Sequence, residues 1–199
     1  MAAGTTYNLT SDYQPREFYR VETGVRKSGP WKLNTENLVD GSFLPPFAPV
    51  EANFKTRVVT VVRNVKVVEA YTNGENALSI KIAKNSLAYV GMHIGNGSKG
   101  ATVSAIDKSN ENYDVLTIGA AFGANIAAGT VLFEATAAGG TKKKNTANFV
   151  TYDRKKVEAG KIVPVTLLMQ AYEVKEDKLI LPIHDLDKVG LTSRFQFEY

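Results

Sequence analysis

The chain of 199 residues contains no cysteine, and this absence excludes disulfide bonds and thiolate chemistry. It is compatible with folding in a reducing compartment. No apolar run approaches the roughly 20 residues that a membrane-spanning helix needs, so a membrane partner is not expected. The first residues, MAAGTTYNLT, lack a charged segment followed by an apolar one and predict no secretory signal.

Metal-binding and catalytic residues are equally scarce. The two histidines, His93 and His184, have no Cys pair, no His-x-x-x-His motif and no Asp-rich calcium loop beside them. His184, Asp185 and Ser193 do not form a hydrolase signature, because no Gly-x-Ser-x-Gly elbow is present. The stretch GNGSKG, residues 95–100, lacks the helix and the Gly-Lys-Ser/Thr ending of a phosphate-binding loop and predicts a mobile β-turn. The sequence therefore predicts no enzyme, no metal site and no cofactor.

Positive charge is present in mild excess. Lysine and arginine total 24 against 20 aspartates and glutamates, a formal net charge of +4. The densest positive run, TKKKN at 141–145, has two interpretations, a site for an anionic partner or a solvated loop. Short lysine clusters bind phosphate weakly on their own, and acidic residues are interspersed along the chain. The sequence therefore favours the solvated loop and argues against nucleic acid as a partner.

Short strands separated by turn residues make up most of the chain. The stretch RVVTVVRNVKVVEAYT, residues 57–72, is apolar on both faces, as is typical of a strand buried on both sides. LSIKI at 78–82 alternates apolar and polar residues. Further strands are predicted over 130–135 and within 161–177, and a short helix over 184–191. This spacing predicts an all-β fold, a small barrel or sandwich of short antiparallel strands with one short C-terminal helix.

Composition divides the chain into three predicted segments. They are an extended N-terminal arm at 1–56, a β-rich core module at 57–137, and a C-terminal β segment at 138–199 whose short helix packs on the core. The arm is rich in Pro, Gly and Asn, and Pro45 and Pro46 forbid a helix there. Because a disordered tail carries few aromatics, we expect this arm to lie on its own domain or on a neighbouring subunit.

Short elements follow one another in a particular order along residues 75–199. A Gly-bearing turn leads into AGTVLFEA, and ANFVTYDRKKVEAGKIVPVTLLMQAYEVKEDKLILP, the helical HDLDKVGL and the aromatic ending RFQFEY follow. In this order the chain resembles the head-fiber and head-decoration proteins of tailed bacteriophages. The resemblance implies a structural virion protein that binds the outside of an assembled capsid, often as a trimer, and reinforces it or carries a fiber. No catalytic residue comes with it.

The resemblance also implies partners and a location. The expected partners are the major capsid protein and sister subunits of a homo-oligomer, with a trimer favoured. The expected location is the capsid exterior, after assembly in the host cytoplasm. The predicted contact residues are apolar or proline residues of the arm and alternating aromatics at the C-terminus: Trp31, Phe43, Pro45, Pro46, Phe47, Phe195, Phe197 and Tyr199.

The alternative hypothesis is a carbohydrate- or surface-binding β module of the receptor-binding or adhesin type. It requires exposed aromatic side chains in a shallow groove, and Tyr89, Tyr113 and Trp31 are the candidates. A core position is the competing interpretation of Tyr89, because this residue lies in a predicted strand.

Overall fold

The computed structural model describes residues 18–198, which form fourteen strands, one α-helix and three short 3-10 helices. The strands are β1 (Val25–Leu33), β2 (Phe43–Leu44), β3 (Pro49–Asn53), β4 (Val58–Val61), β5 (Asn64–Lys66), β6 (Ser79–Ala83), β7 (His93–Gly95), β8 (Gly100–Asp107), β9 (Tyr113–Ile118), β10 (Val131–Glu134), β11 (Phe149–Thr151), β12 (Lys155–Lys156), β13 (Pro164–Lys175) and β14 (Phe195–Glu198). The α-helix, α1, spans Asp185–Leu191, and the 3-10 helices span Val21–Thr23, Glu176–Lys178 and Thr192–Arg194. No helix of these residues is long and apolar enough to cross a membrane. The predicted all-β class, with one short helix near the C-terminus, is confirmed.

Five strands close into the first of two small barrels. Their order is β1-β4-β3-β11-β13, and β13 pairs back to β1, with Val25 opposite Gln170 and Lys32 opposite Pro164. The long strand predicted within 161–177 is β13, and β14 pairs with its far end in parallel. Pro164 is tolerated because it is the first residue of this strand.

Alternating side chains give the first barrel two separate apolar clusters. One cluster takes every second residue of β1, β3, β4 and β13, as expected for the inner face of a barrel. Its buried members include Trp31, Leu33, Val50, Ala52, Val59, Val61, Val165 and Leu167. The other cluster takes residues of the opposite faces together with α1 and β14, and it includes Phe47, Val150, Leu168, Ala171, Leu191 and Phe195. The C-terminal strand is therefore held by the outer face of this barrel.

The second barrel takes all six of its strands from residues 64–134, in the order β5-β10-β7-β8-β9-β6. An antiparallel bridge between Val67 and Ile82 brings its first and last strands together. Its core is mainly aliphatic and includes Val65, Ile80, Ile82, Ile94, Val103, Leu116, Ile118 and Leu132. The hairpin loop between β8 and β9 is largely exposed to solvent.

The valine-rich stretch at 57–72 carries the chain from one barrel to the other. The sequence predicts a strand buried on both sides, but the stretch forms two strands, β4 and β5, in different barrels. Val59 and Val61 belong to the core of the first barrel, whereas Val65 and Val67 belong to the core of the second. The stretch is apolar throughout because it serves two cores in succession.

Much of the segment that the sequence assigns to an extended arm, 1–56, forms integral strands. β1 pairs with β4 and β13, and β3 pairs with β4 and β11, while residues 1–17 lie outside the described part of the chain. Of the two expected locations, residues 25–53 therefore occupy the chain's own domain, because β1 and β3 contribute side chains to the barrel core. The expected boundaries at 56 and 137 cut across the first barrel, which draws strands from all three predicted segments.

Glycines bring the turn at 95–100 into backbone contact with the loop that follows β10. A Cβ atom on Gly140, whose φ is +66°, would lie 2.2 Å from the carbonyl oxygen of Lys99. A Cβ atom on Gly95 would lie 2.3 Å from the carbonyl oxygen of Gly140. The amide of Gly97 donates to this same oxygen at 3.0 Å. One side of the turn that the sequence predicts to be mobile is thus packed tightly against Gly140.

The substitution Gly140→Ala should lower the free energy of unfolding by more than about 2 kcal/mol, because it adds a side chain at positive φ and against the backbone. The matched control is Gly139→Ala, since no atom lies within 4 Å of the Cβ position there. The control should change stability by less than about 1 kcal/mol. Urea unfolding followed by circular dichroism measures both, and equal losses in the two variants would contradict the close contact.

Candidate interaction surface

Exposed apolar side chains lie on two connected loops of the first barrel. Val39 and Ile162 are each 71% exposed, and Phe43 is 49% exposed. These residues belong to the segments 34–43 and 154–163. Together with Arg154 and Lys156 on the second segment, the three apolar residues are termed the barrel-end patch.

Backbone hydrogen bonds join the two segments and fix their conformation. Gly41, whose φ is +75°, donates its amide to the carbonyl of Val157 at 2.9 Å. The amide of Val157 donates in turn to the carbonyl of Ser42 at 2.8 Å. The Asp40 carboxylate accepts from the amide of Ala159 at 2.9 Å. The backbone that carries the patch residues is therefore held in place by hydrogen bonds between the two segments.

Strand alternation decides which side chain of this region faces solvent. In β2, Leu44 is buried in the barrel core, so its neighbour Phe43 faces outward. Lys156 of β12 lies opposite Phe43 in the ladder. The guanidinium carbon of Arg154 lies 3.8 Å from the centre of the Phe43 ring, within the range of a cation–π contact. The patch thus presents an aromatic ring with a positive charge on it.

The patch also carries unpaired positive charge. Residues 153–161 contain four basic and two acidic side chains. Both acids are paired within the segment, as Lys155–Asp153 and Lys161–Glu158. Within residues 18–198, Arg154 and Lys156 have no carboxylate partner. An apolar surface with two free cations fits a partner surface that is apolar and acidic.

Three of the other predicted contact residues are buried within the chain itself. Trp31, Phe47 and Phe195 are 1%, 2% and 4% exposed, respectively. The rings of Phe47 and Phe195 pack edge to face at 6.2 Å between their centres. The rest are half-buried or undescribed: Pro45, Pro46 and Phe197 are half-buried, and Tyr199 lies outside the described residues. Contact with a capsid or a sister subunit stays a prediction, and Phe43 is the residue best exposed to make it.

The aromatic residues that the carbohydrate- or surface-binding hypothesis requires are not exposed. Trp31 is buried, and Tyr89 and Tyr113 are half-buried. The Tyr89 hydroxyl donates to the Glu134 carboxylate at 2.8 Å, so its polar end is already occupied. The barrel-end patch is therefore the better candidate for recognition.

The lysine run at 141–145 is not the solvated loop that the sequence favours, because two of its lysines pair with buried carboxylates. The ammonium group of Lys143 is buried, and it donates to the Asp187 carboxylate and to Asn64 Oδ1, the latter at 3.0 Å. Asp187 is fully buried and also accepts from Asn64 Nδ2 at 2.8 Å and from the amide of Ala147 at 2.9 Å. Burial lowers the pKa of Lys143, and the charge of Asp187 opposes that effect.

Lys144 pairs with a second buried carboxylate, that of Glu134. Glu134 Oε1 accepts from Lys144 Nζ at 2.9 Å and from Tyr89 at 2.8 Å, while Oε2 accepts from Arg63 at 3.2 Å. Burial by itself raises the pKa of Glu134, but the bonds from Lys144 and Tyr89 and the charge of Arg63 outweigh it, so the pKa lies below its usual value. The bond to Glu134 raises the pKa of Lys144. Both groups are therefore ionised at neutral pH.

Both histidines make structural contacts. Nδ1 of His93, in β7, lies 2.8 Å from the hydroxyl of Thr102 on the neighbouring strand. His184 caps α1, because its Nδ1 accepts from the amide of Leu186 at 3.1 Å, and its ring lies nearly perpendicular to the Phe133 ring. Burial lowers the pKa of His184. In the described part of the chain, no group of three or more His, Cys, Asp or Glu side chains is placed to hold a metal ion.

Sequence reasoning missed the buried ion pairs of Asp187 and Glu134. Asp187 and its partner Lys143 are 44 residues apart, so no local pattern connects them. Glu134 leaves a clearer signal, since it is an acid at the end of the apolar strand VLFE. A lone acid in such a strand, followed by a lysine run, is the pattern that would predict a buried ion pair.

Comparison with known protein families finds one family model that matches nearly the whole chain. The family model described as head fiber protein matches residues 3–196, nearly the full chain. No curated protein and no solved structure matches the chain. The matched range includes both barrels and α1, so the similarity is not confined to one of them.

The substitution Asp187→Ala should lower the free energy of unfolding by about 3–5 kcal/mol, because Lys143 then remains buried without a counter-charge. Asp185→Ala is the matched control on the same helix, since that side chain is 92% exposed. The control should change stability by less than about 1 kcal/mol. Chemical denaturation measures both variants, and a small loss for Asp187→Ala would show that its carboxylate is dispensable.

The stability of the chain should depend on the ionisation of Glu134. Its pKa in the folded state is lower than its unfolded value of about 4.3, so its contribution is complete above that pH and is lost as the pH falls through the folded pKa. Glu134→Gln should therefore reduce stability at pH 7 and flatten the decline between about pH 5 and pH 3. Thermal unfolding across this range tests the expectation, and a decline as steep as that of the unmodified chain would refute it.

Proposed function

The chain belongs to the head fiber protein family of phages and is a structural component of the virion, and we propose that it binds the outside of the capsid through the barrel-end patch. There it decorates or reinforces the shell. The partner in this proposal is the major capsid protein. The role requires no catalysis, and we propose none.

The observation that carries the proposal is the exposure of Val39, Phe43 and Ile162 on two hydrogen-bonded segments. Arg154 stacks on Phe43 and Lys156 lies opposite it, and neither cation has a carboxylate partner among residues 18–198. Burying a side chain of this size contributes about 1.5–3 kcal/mol, before the costs of ordering and association are subtracted. On a capsid the same contact recurs at every equivalent position. A modest free energy for each copy therefore accumulates over the particle.

The charge of the patch defines the chemistry of the partner surface. Arg154 and Lys156 favour a capsid surface that offers carboxylates around an apolar centre. Such a contact weakens as salt rises, because exposed charges are screened over about 8–10 Å at physiological ionic strength. The apolar part of the contact does not weaken in that way, so binding at high salt should be reduced but not abolished.

We also propose that the chain forms a homo-oligomer, with a trimer favoured. The segment 119–129 anchors Phe122 and Ile126 in the core of the second barrel and leaves Ala127 and Ala128 exposed. Small residues allow two backbones to approach closely, which suits a contact around a threefold axis. Light scattering of the purified protein distinguishes trimer from monomer, and single copies on the assembled particle would exclude the trimer.

The double substitution Phe43→Ala with Ile162→Asp should weaken capsid binding by at least about tenfold, since it removes one apolar contact and places a charge in another. Co-sedimentation of the purified protein with capsids that lack it measures the affinity. The matched control is Val68→Asp, which alters a valine that is 41% exposed on the second barrel. The control should bind within about twofold of the unmodified chain.

Circular dichroism and thermal unfolding establish that both variants are folded before binding is compared. Undiminished binding of a folded patch variant would exclude the barrel-end patch as the capsid contact. Equal weakening by Val68→Asp would place the contact elsewhere or spread it over both barrels.

A further inference from the structure

A pocket of about 340 Å³ opens on the second barrel beside the carboxylate of Glu134. Its chemistry depends on Tyr89, His93, Glu134, Thr136 and Lys144, which line it. The volume lies near the lower end of the roughly 300–1,000 Å³ that is usual for small-ligand pockets. The pocket therefore suits a small polar group.

The groups around Glu134 leave one positive charge in excess. Its carboxylate carries one negative charge, whereas Arg63 and Lys144, which both contact it, carry one positive charge each. The neighbouring pair of Lys143 and Asp187 is neutral as a unit. A single negative charge in the pocket would therefore balance the site.

Hydrogen-bond donors around the pocket are only partly used. The ammonium group of Lys144 has three N–H donors; it bonds to Glu134 and also contacts Tyr89, and its side chain is 43% exposed. Nδ1 of His93 is engaged with Thr102, so Nε2 is the nitrogen left for a ligand. Arg63 does not line the pocket, and it contributes its positive charge through the bond to Glu134 Oε2. Positive charge and open donors thus occur at the same place.

We propose that this pocket binds one carboxylate group, supplied by an acidic side chain of a partner protein or by a small organic acid. The ammonium group of Lys144 and the His93 ring donate to the two oxygens of the ligand. A monoanion balances the single excess positive charge of Arg63, Lys144 and Glu134, whereas a dianionic phosphate would leave the site with a net negative charge. The site lies on the second barrel and does not depend on the barrel-end patch.

Nuclear magnetic resonance of the full-length, isotope-labelled chain tests the proposal. Sodium acetate is titrated against sodium chloride at equal ionic strength, and the signals of the Gly91 and Thr136 amides and of the His93 ring are followed. We expect saturable shifts at millimolar acetate that chloride does not reproduce. Shifts that are linear, or equal in the two salts, would overturn the proposal.

Two variants and a control place the binding in the pocket. Lys144→Gln removes the donor, and Thr136→Trp fills the mouth while it leaves every ion pair in place. Each should weaken acetate binding by about tenfold or more, as expected for the loss of a charged hydrogen bond or of the space itself. Lys142→Gln, on the same loop with an exposed side chain, should stay within about twofold. Lys144→Gln also removes a partner of Glu134 and could therefore unfold the chain. In that case Thr136→Trp decides the result, and unchanged acetate binding by folded Thr136→Trp would overturn the proposal.

A second titration distinguishes the two sources of the carboxylate. The probe is the peptide acetyl-Gly-Glu-Gly-amide, with acetyl-Gly-Gln-Gly-amide as its neutral control. Tighter binding of the acidic peptide than of acetate supports an acidic side chain, and binding of acetate alone supports a small organic acid. Failure of both probes to bind would overturn the proposal and would leave the capsid contact unaffected.

Discussion

The carboxylate of Asp187 is the interaction on which the joint between the two barrels depends. It is fully buried and accepts hydrogen bonds from Lys143, Asn64, Ala147 and the amide of His184. These donors come from the start of β5, the segment between β10 and β11, and the start of α1. A buried charge is tolerated only when it is paired and fully hydrogen-bonded, so each of these segments must be in place for the others to be stable.

This joint gives the molecule two surfaces on one rigid support. The barrel-end patch lies on the first barrel, and the pocket beside Glu134 lies on the second. Arg63, between β4 and β5, connects them, because it pairs with Glu134 and donates to the carbonyl of Glu36 at 2.6 Å. A chain held to a shell by its first barrel would thus present its second barrel in a fixed orientation. That arrangement suits a structural component of a virion, whose geometry must be the same at every copy.

Local patterns in the sequence predict the elements but not their closure. The alternation in β13, the short helix α1 and the inward-facing Phe195 follow from residues close together in the chain. Barrel closure depends on distant pairs such as Val25 with Gln170, and the split of the valine-rich stretch at 57–72 depends on which core each half meets. The sequence favours a solvated lysine run for the same reason. A charged side chain is buried only when a distant residue supplies its partner, and single-sequence patterns do not show that partner.

Electron cryomicroscopy of capsids carrying the bound protein tests the central claim most directly. The claim predicts that the loops at 39–43 and 154–162 contact the major capsid protein, with the second barrel facing away from the shell. A reconstruction in which these loops face solvent, while another part of the chain contacts the capsid, would contradict it.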